Sequence, residues 1–230
     1  MLGSSALVPA LAACAVASYL VCGIPFGLIL GKLSGNGDIR ESGSGNIGTT
    51  NALRVAGKKV AAATLAFDLL KGTVCLRASL ACLAAVLGDV CGADPFGAGG
   101  PLDWACALVA LACLYGHIFS PYLGFHGGKG IATGVGILFG FFWPLAIAHL
   151  AVFIVLVALT RYVSLGSVVT AALVPLTVHL AFPGMSPAAL AVWALLGWTV
   201  VWAHRANIGR LRAGTESKLS FSSKGKDGAA

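Results

Sequence analysis

The amino-acid sequence predicts an all-α integral membrane protein with seven transmembrane helices, the N-terminus outside and the C-terminus cytoplasmic. Three observations carry this expectation. Of the 230 residues, 58% are hydrophobic and only 10% charged, with a mean hydropathy of +0.91, whereas an ordinary soluble domain carries roughly 25% charged residues. So few charges cannot coat a water-soluble globule, and so apolar a chain is not a disordered one. Apolar stretches approaching the ~20 residues that a membrane helix needs fall near 6–30, 60–88, 104–123, 131–160, 164–182 and 188–203. Thirteen of the fifteen Lys and Arg residues lie in segments that alternate crossings place on one side, which the positive-inside rule makes cytoplasmic.

The elements follow in order. No cation precedes the first stretch, so it reads as a retained helix rather than a secretory signal, despite the lipoprotein-like Leu11-Ala12-Ala13-Cys14. The loop after it carries Lys32, Arg40, Arg54, Lys58 and Lys59. The second stretch contains Asp68, Lys71 and Arg77. Intramembrane ionisable groups are functional candidates by default, and an Asp68–Lys71 ion pair joining helices is an equal alternative; Arg77 reads as snorkelling outward. Residues 89–103 have no cation but contain Asp89, Asp94 and Asp103, which fits the outer side. A single crossing of 131–160 would carry Arg161 and the basic tail outside. The stretch is therefore read as two short crossings broken near Trp143-Pro144, where Pro interrupts a helix, one of them tilted or incomplete. Residues 1–216 form one membrane domain, and 217–230 are expected to be a flexible cytoplasmic tail. The seven cysteines show no CxxC spacing and read as small packing residues. His149 and His179 are isolated in apolar runs, which suits local hydrogen bonding rather than metal ligation.

Chemistry is expected where polar residues gather, in three segments on the cytoplasmic side. The first runs Gly43-Ser44-Gly45-Asn46-Ile47-Gly48-Thr49-Thr50-Asn51-Ala52-Leu53-Arg54. Its formal G-x-G-x-x-G follows a membrane helix rather than a strand, so the dinucleotide reading fails. The glycines still allow backbone N–H groups to cradle an anion, and Thr49, Thr50 and Asn51 are candidate caps for a helix carrying Arg54. The second runs from Gly116-His117 to Gly127-Gly128-Lys129-Gly130 at the start of an apolar helix. Backbone donors, a cation and a positive helix end suit a phosphate; the bland alternative is a tight turn with Lys129 at the interface. The third contains His204, Arg205, Asn207, Arg210, Arg212 and Glu216. Stop-transfer anchoring accounts for the arginines but not for His204 and Asn207, which share a face at i, i+3 if the helix continues.

Together the three segments resemble the motifs of the bacterial acyl-phosphate:glycerol-3-phosphate acyltransferase family, in order and over residues 6–218. The resemblance implies a seven-helix enzyme of the bacterial cytoplasmic membrane with its active site facing the cytoplasm. It would transfer an acyl group from acyl phosphate to the 1-hydroxyl of sn-glycerol 3-phosphate, the first step of phospholipid synthesis. By position, Ser44, Arg54, His204 and Asn207 correspond to catalytic residues. Gly43, Gly45, Asn46, Thr50, Asn51, His117, Gly127, Gly128, Lys129 and Gly130 correspond to substrate- or phosphate-binding positions. Asp68, Lys71 and Glu216 are assigned supporting roles. Thr49, Ser120-Pro121 and Ala206 depart from the usual residues without removing a contact. Glycerol 3-phosphate, acyl phosphate and membrane lipids are the expected partners, with no cofactor, metal or nucleic acid, and the chain is expected to act as a monomer. No His is followed by Asp at the fifth position and no G-x-S-x-G occurs, which favours direct displacement without an acyl-enzyme. The rival reading, a transporter of a small organic phosphate, expects repeated halves and midplane polar groups, whereas this sequence has no visible repeat and gathers its polar residues mainly at one surface.

Overall fold

The computed structural model describes residues 2–87 and 95–219, with side chains from residue 6. Its first long apolar stretch is broken, because Pro25 supplies no backbone N–H and fixes the chain direction. Helix α1 (Leu2–Gly23) ends there and α2 (Phe26–Leu33) follows. A polar loop leads to the short α3 (Thr49–Val55), then to α4 (Gly57–Leu87) and α5 (Asp103–Ile118). The 131–160 stretch divides as expected, with Phe142 extended between α6 (Ile131–Phe141) and α7 (Trp143–Thr160) and Pro144 in the first turn of α7. Helices α8 (Val163–Ala181), α9 (Pro187–Ala203) and α10 (Arg205–Arg212) complete the chain. The described residues contain no strand.

Among the described residues, five helical segments are long and apolar enough to cross a membrane, or six if α9 and α10, bent by 56° at His204, count as one. Helix α6 has 11 residues, and at 1.5 Å per residue it reaches about 16 Å, half the ~30 Å hydrocarbon core. Asp89, Asp94, Cys91, Lys224 and Lys226 lie outside the described residues.

Helices without a water-driven reason to associate pack through small residues and polar bridges. Helix α1 lies against α4 and α5, and α4 against α6. At Gly116 on α5 a Cβ would strike the Tyr19 carbonyl, and at Gly136 on α6 it would strike that of Leu69 on α4. The Ser18 and Ser79 hydroxyls meet at 3.0 Å between α1 and α4, and Thr73 donates to the Gly136 carbonyl at 2.8 Å. Buried Asp103 accepts from the Ser186 N–H at 2.7 Å and its hydroxyl at 2.6 Å, tying the start of α5 to the start of α9. This clamp and the α1–α4–α5 core hold the opposite ends of α4, α5 and α9, where the polar segments converge.

Candidate active site

The motif-one loop is organised by Asn51, which is 1% exposed. Its Oδ1 accepts from the Ser44 N–H at 2.7 Å and from the Ser44 hydroxyl at 3.2 Å, while its Nδ2 donates to the Ile39 and Ser42 carbonyls at 2.7 and 3.3 Å. Gly43 adopts φ +67° beside this amide, and a Cβ there would collide with Asn51 Oδ1, so glycine is required twice over. The expected capping by Thr49, Thr50 and Asn51 does not occur. Gly48 is the N-cap of α3 and accepts no side-chain cap bond; the three residues form the first helical turn. Asn46 Oδ1 instead accepts from the Gly48 N–H at 2.9 Å. Arg54 is exposed on α3, while Arg40 turns away to pair with Asp38 at 2.6 Å.

In motif two the N–H groups of Gly127 and Gly128 are already spent. They donate to the carbonyls of Ile118 and His117 at 2.9 and 3.0 Å, stitching the loop onto the end of α5. A Cβ on Gly128 would collide with His117 Nε2, so these glycines allow close approach rather than offer donors. What remains is Lys129 and the start of α6, where Gly130 (φ +85°) is an N-cap without a side-chain bond. The first-turn N–H groups of such a helix lack internal partners.

Motif three follows the bend between α9 and α10. His204 is buried, and its Nδ1 lies 2.8 Å from the Val200 carbonyl. A carbonyl only accepts, so Nδ1 carries the proton and Nε2 of the neutral ring keeps its lone pair. One turn on, Asn207 Oδ1 accepts from Lys129 Nζ at 2.6 Å and its Nδ2 donates to Glu216 Oε1 at 2.6 Å. The second Glu216 oxygen accepts from Arg210 Nε at 2.6 Å. Burial pushes the Glu216 carboxyl up, but hydrogen bonding by Asn207 and Arg210 outweighs it and holds the group below its ordinary value. Burial lowers the Lys129 ammonium below the ordinary 10.5, reinforced by Arg210, opposed by Glu216 and reinforced again by Arg54.

These three segments line one cavity of about 900 Å³. Of the residues singled out from the sequence, Gly43, Ser44, Asn46, Thr50, Asn51, Arg54, Asp68, His117, Lys129, Gly130, His204, Asn207 and Glu216 face it. Gly45, Gly127, Gly128 and Lys71 do not line it. Lys71 Nζ lies 2.7 Å from Asp68 Oδ1, donates to the Ile24 carbonyl at 3.0 Å and stands 5.5 Å over the Phe26 ring. His117 Nδ1 is 3.7 Å from the same Asp68 oxygen. Both charges sit on α4, so the ion pair itself joins no helices; the Lys71 bond to Ile24 is what ties α4 to the α1–α2 break, and Asp68 and His117 line the cavity.

The cavity also contains residues that motif reasoning passed over. Arg210 was absorbed into the basic tail, although its i+3 spacing from Asn207 was a usable signal. Ser164, Ser167 and Thr170 face the cavity from α8 at helical spacing. The Ser167 and Thr170 hydroxyls donate to carbonyls one turn back, at 2.9 and 2.7 Å. His149, also at the wall, meets Thr177 Oγ1 at 2.8 Å, a bond between α7 and α8 rather than a local one. Apolar walls come from Leu65, Leu69, Leu138, Phe153, Val157 and Leu196, among others. Among the described residues no cluster of His, Cys, Asp or Glu is arranged to hold a metal.

The family model "Glycerol-3-phosphate acyltransferase" matches residues 12–214 of this chain. The chain belongs to that family. Relatives named glycerol-3-phosphate acyltransferase include one from Brucella anthropi, 43% identical over 89% of this chain and 90% of the relative. Those from Rhizobium meliloti and Rhodopseudomonas palustris are 40% and 44% identical, covering 92% and 87% of this chain and 93% and 91% of theirs. A crystal structure of PlsY, an integral membrane glycerol 3-phosphate acyltransferase in its glycerol 3-phosphate form, superimposes with a TM-score of 0.76 at 30% identity, covering 91% of this chain and 96% of PlsY. A second PlsY structure, the lysophosphatidic acid form, gives 0.74 at 29% identity, covering 91% and 95%. This acyltransferase is therefore a membrane-embedded, PlsY-type enzyme, and the cavity that unites its three motifs is its candidate active site.

Proposed function

We propose that the enzyme transfers an acyl group from an acyl phosphate to the 1-hydroxyl of sn-glycerol 3-phosphate, releasing lysophosphatidic acid and phosphate. One observation carries this reading: a single cavity combines Arg54, Lys129 and Arg210 with a long apolar wall. Two phosphate-bearing substrates need the cations, and the acyl tail needs the wall. The glycerol 3-phosphate and lysophosphatidic acid forms of the similar PlsY structures support the same acceptor and product here.

In the proposed reaction the 1-hydroxyl oxygen attacks the acyl carbonyl carbon. The bond from that carbon to the phosphate oxygen breaks, its electron pair leaves with phosphate, and the hydroxyl proton ends on the released phosphate. An acyl phosphate is already activated, so holding both reactants in line and stabilising developing charge supplies much of the rate. Arg54 and Lys129 neutralise phosphate oxygens. Ser44 and Asn207 position them, Asn207 being itself fixed between Lys129 and Glu216. His204 Nε2 accepts a hydrogen bond from the acceptor hydroxyl and orients it. No protein nucleophile is required, and the enzyme acts as a monomer. The one-sided cation distribution supports seven crossings in the cytoplasmic membrane of a bacterium, N-terminus outside, with the site open to the cytoplasm.

The test is to supply purified protein with palmitoyl phosphate and glycerol 3-phosphate. Lysophosphatidic acid and phosphate should form in equal amounts, with no acylated Ser44 by mass spectrometry. A trapped acyl-Ser44 sinks the direct displacement. Folded protein that makes no product, yet carries glycerol 3-phosphate into vesicles, establishes the transporter instead.

A further inference from the structure

We infer that Arg210 is a third phosphate-binding cation of this site, an inference that rests on the acyl-transfer reading for the identity of the phosphates. Arg210 lines the cavity with Arg54 and Lys129. Its side chain is 43% exposed, and it is held by one atom only: Nε donates to Glu216 Oε2 at 2.6 Å. A guanidinium presents five N–H donors in a fixed fork. With Nε committed, the plane is set while the two terminal nitrogens donate to no protein acceptor among the described residues. Glu216 in turn is fixed by Asn207, and Asn207 by Lys129. One hydrogen-bonded chain therefore orients the Arg210 fork relative to the Lys129 ammonium. The two cations also sense each other, since Arg210 is among the charges that depress Lys129. Glu216 offsets only one of these two positive charges, and a phosphate bound between them offsets the other.

Charge accounting points the same way. Asp68 is neutralised by Lys71. Of the other lining charges, Arg54, Lys129 and Arg210 face Glu216, a net of two positive charges with Arg210 and one without it. A phosphate group with one organic substituent carries about −1.5 to −2 at neutral pH, and the reaction needs two such groups, one on the acyl phosphate and one on glycerol 3-phosphate, in the cavity together. Removal of Arg210 halves the net positive charge available to them. A residue that merely tethered Glu216 could do so as a lysine or glutamine donor, without a fork directed at the cavity.

The experiment compares wild type, Arg210→Gln and Arg210→Lys. The KM for glycerol 3-phosphate at saturating palmitoyl phosphate, and the reverse, identify which phosphate the fork holds. The glutamine variant should raise one KM about tenfold or more, with the melting temperature unchanged, and the lysine variant should recover part of the loss. Inorganic phosphate provides an independent readout: it should raise the melting temperature of wild type and raise that of Arg210→Gln much less. Unchanged KM values overturn the inference. So does a lowered melting temperature with equal phosphate protection in all three proteins, which would make Arg210 a tether for Glu216. Wild type that makes no lysophosphatidic acid while phosphate protection still depends on Arg210 refutes the acyl-transfer reading and leaves this site standing.

Discussion

Two charged clusters meet at the cavity, and they are built in opposite ways. Asp68 and Lys71 have side chains only 3% exposed. Lys71 spends itself on Asp68, the Ile24 carbonyl and the Phe26 ring, all within the protein. The Lys129–Asn207–Glu216–Arg210 chain has equally short bonds, yet both its cations line the open cavity and the terminal nitrogens of Arg210 have no protein acceptor among the described residues. In the first cluster the lysine is spent inside the protein and pins α4 to the α1–α2 break, while Asp68 lines the cavity beside it. The second is held on one side and unsatisfied on the other, as a binding site must be. Charge inside a membrane protein thus has two uses, told apart by where the remaining donors point.

Substitutions in the two clusters should therefore fail differently. The largest effect is expected for Lys71→Met, which leaves the Asp68 carboxylate buried without its partner. Thermal or denaturant unfolding should show a loss of about 3–5 kcal/mol, and activity should fall only as folded protein is lost. A selective loss of kcat without destabilisation would move this pair into the catalytic machinery. Lys129→Ala should do the reverse, lowering kcat/KM for glycerol 3-phosphate about 100-fold, equivalent to about 2.7 kcal/mol, at nearly constant melting temperature. Equal loss of folding and activity would restore the turn-and-anchor reading of Lys129. Gly128→Ala drives a methyl group into the His117 ring and should cost about 1–3 kcal/mol of stability, with a raised KM because Lys129 moves with its loop.

The smallest effects are in pH dependence, where the signs are fixed. Lys129 is depressed, so it loses its proton earlier as pH rises, and the alkaline limb of kcat/KM should fall below 10.5. Lys129→Arg should remove that limb. Glu216 is also depressed; its stabilisation is complete above the ordinary carboxylate range and disappears as pH falls through its lowered value. Melting curves of Glu216→Gln should lack that acid-side loss.

The helical architecture was legible because hydropathy and Pro are local signals. The division of 131–160 at Phe142 and the convergence of motifs one, two and three on one cavity both follow from spans and spacing. Other features depend on partners distant in sequence. The donors of Gly127 and Gly128 look open in the motif, but the end of α5 lies against them. Thr49 to Asn51 look like caps, but Asn51 turns back to hold Ser44. Arg210 was masked by its company, since basic residues after a last span have an ordinary anchoring explanation. Only the bend at His204 and the return of Glu216 bring it to the cavity.

In the proposed reaction one cavity holds both substrates at once, and the acyl group passes directly from the acyl phosphate to the 1-hydroxyl of glycerol 3-phosphate. Initial-rate kinetics with palmitoyl phosphate and glycerol 3-phosphate varied together test it most directly. Intersecting double-reciprocal lines are the predicted result, because both substrates must be bound before either product leaves. Parallel lines would contradict direct displacement, for they require an acylated enzyme.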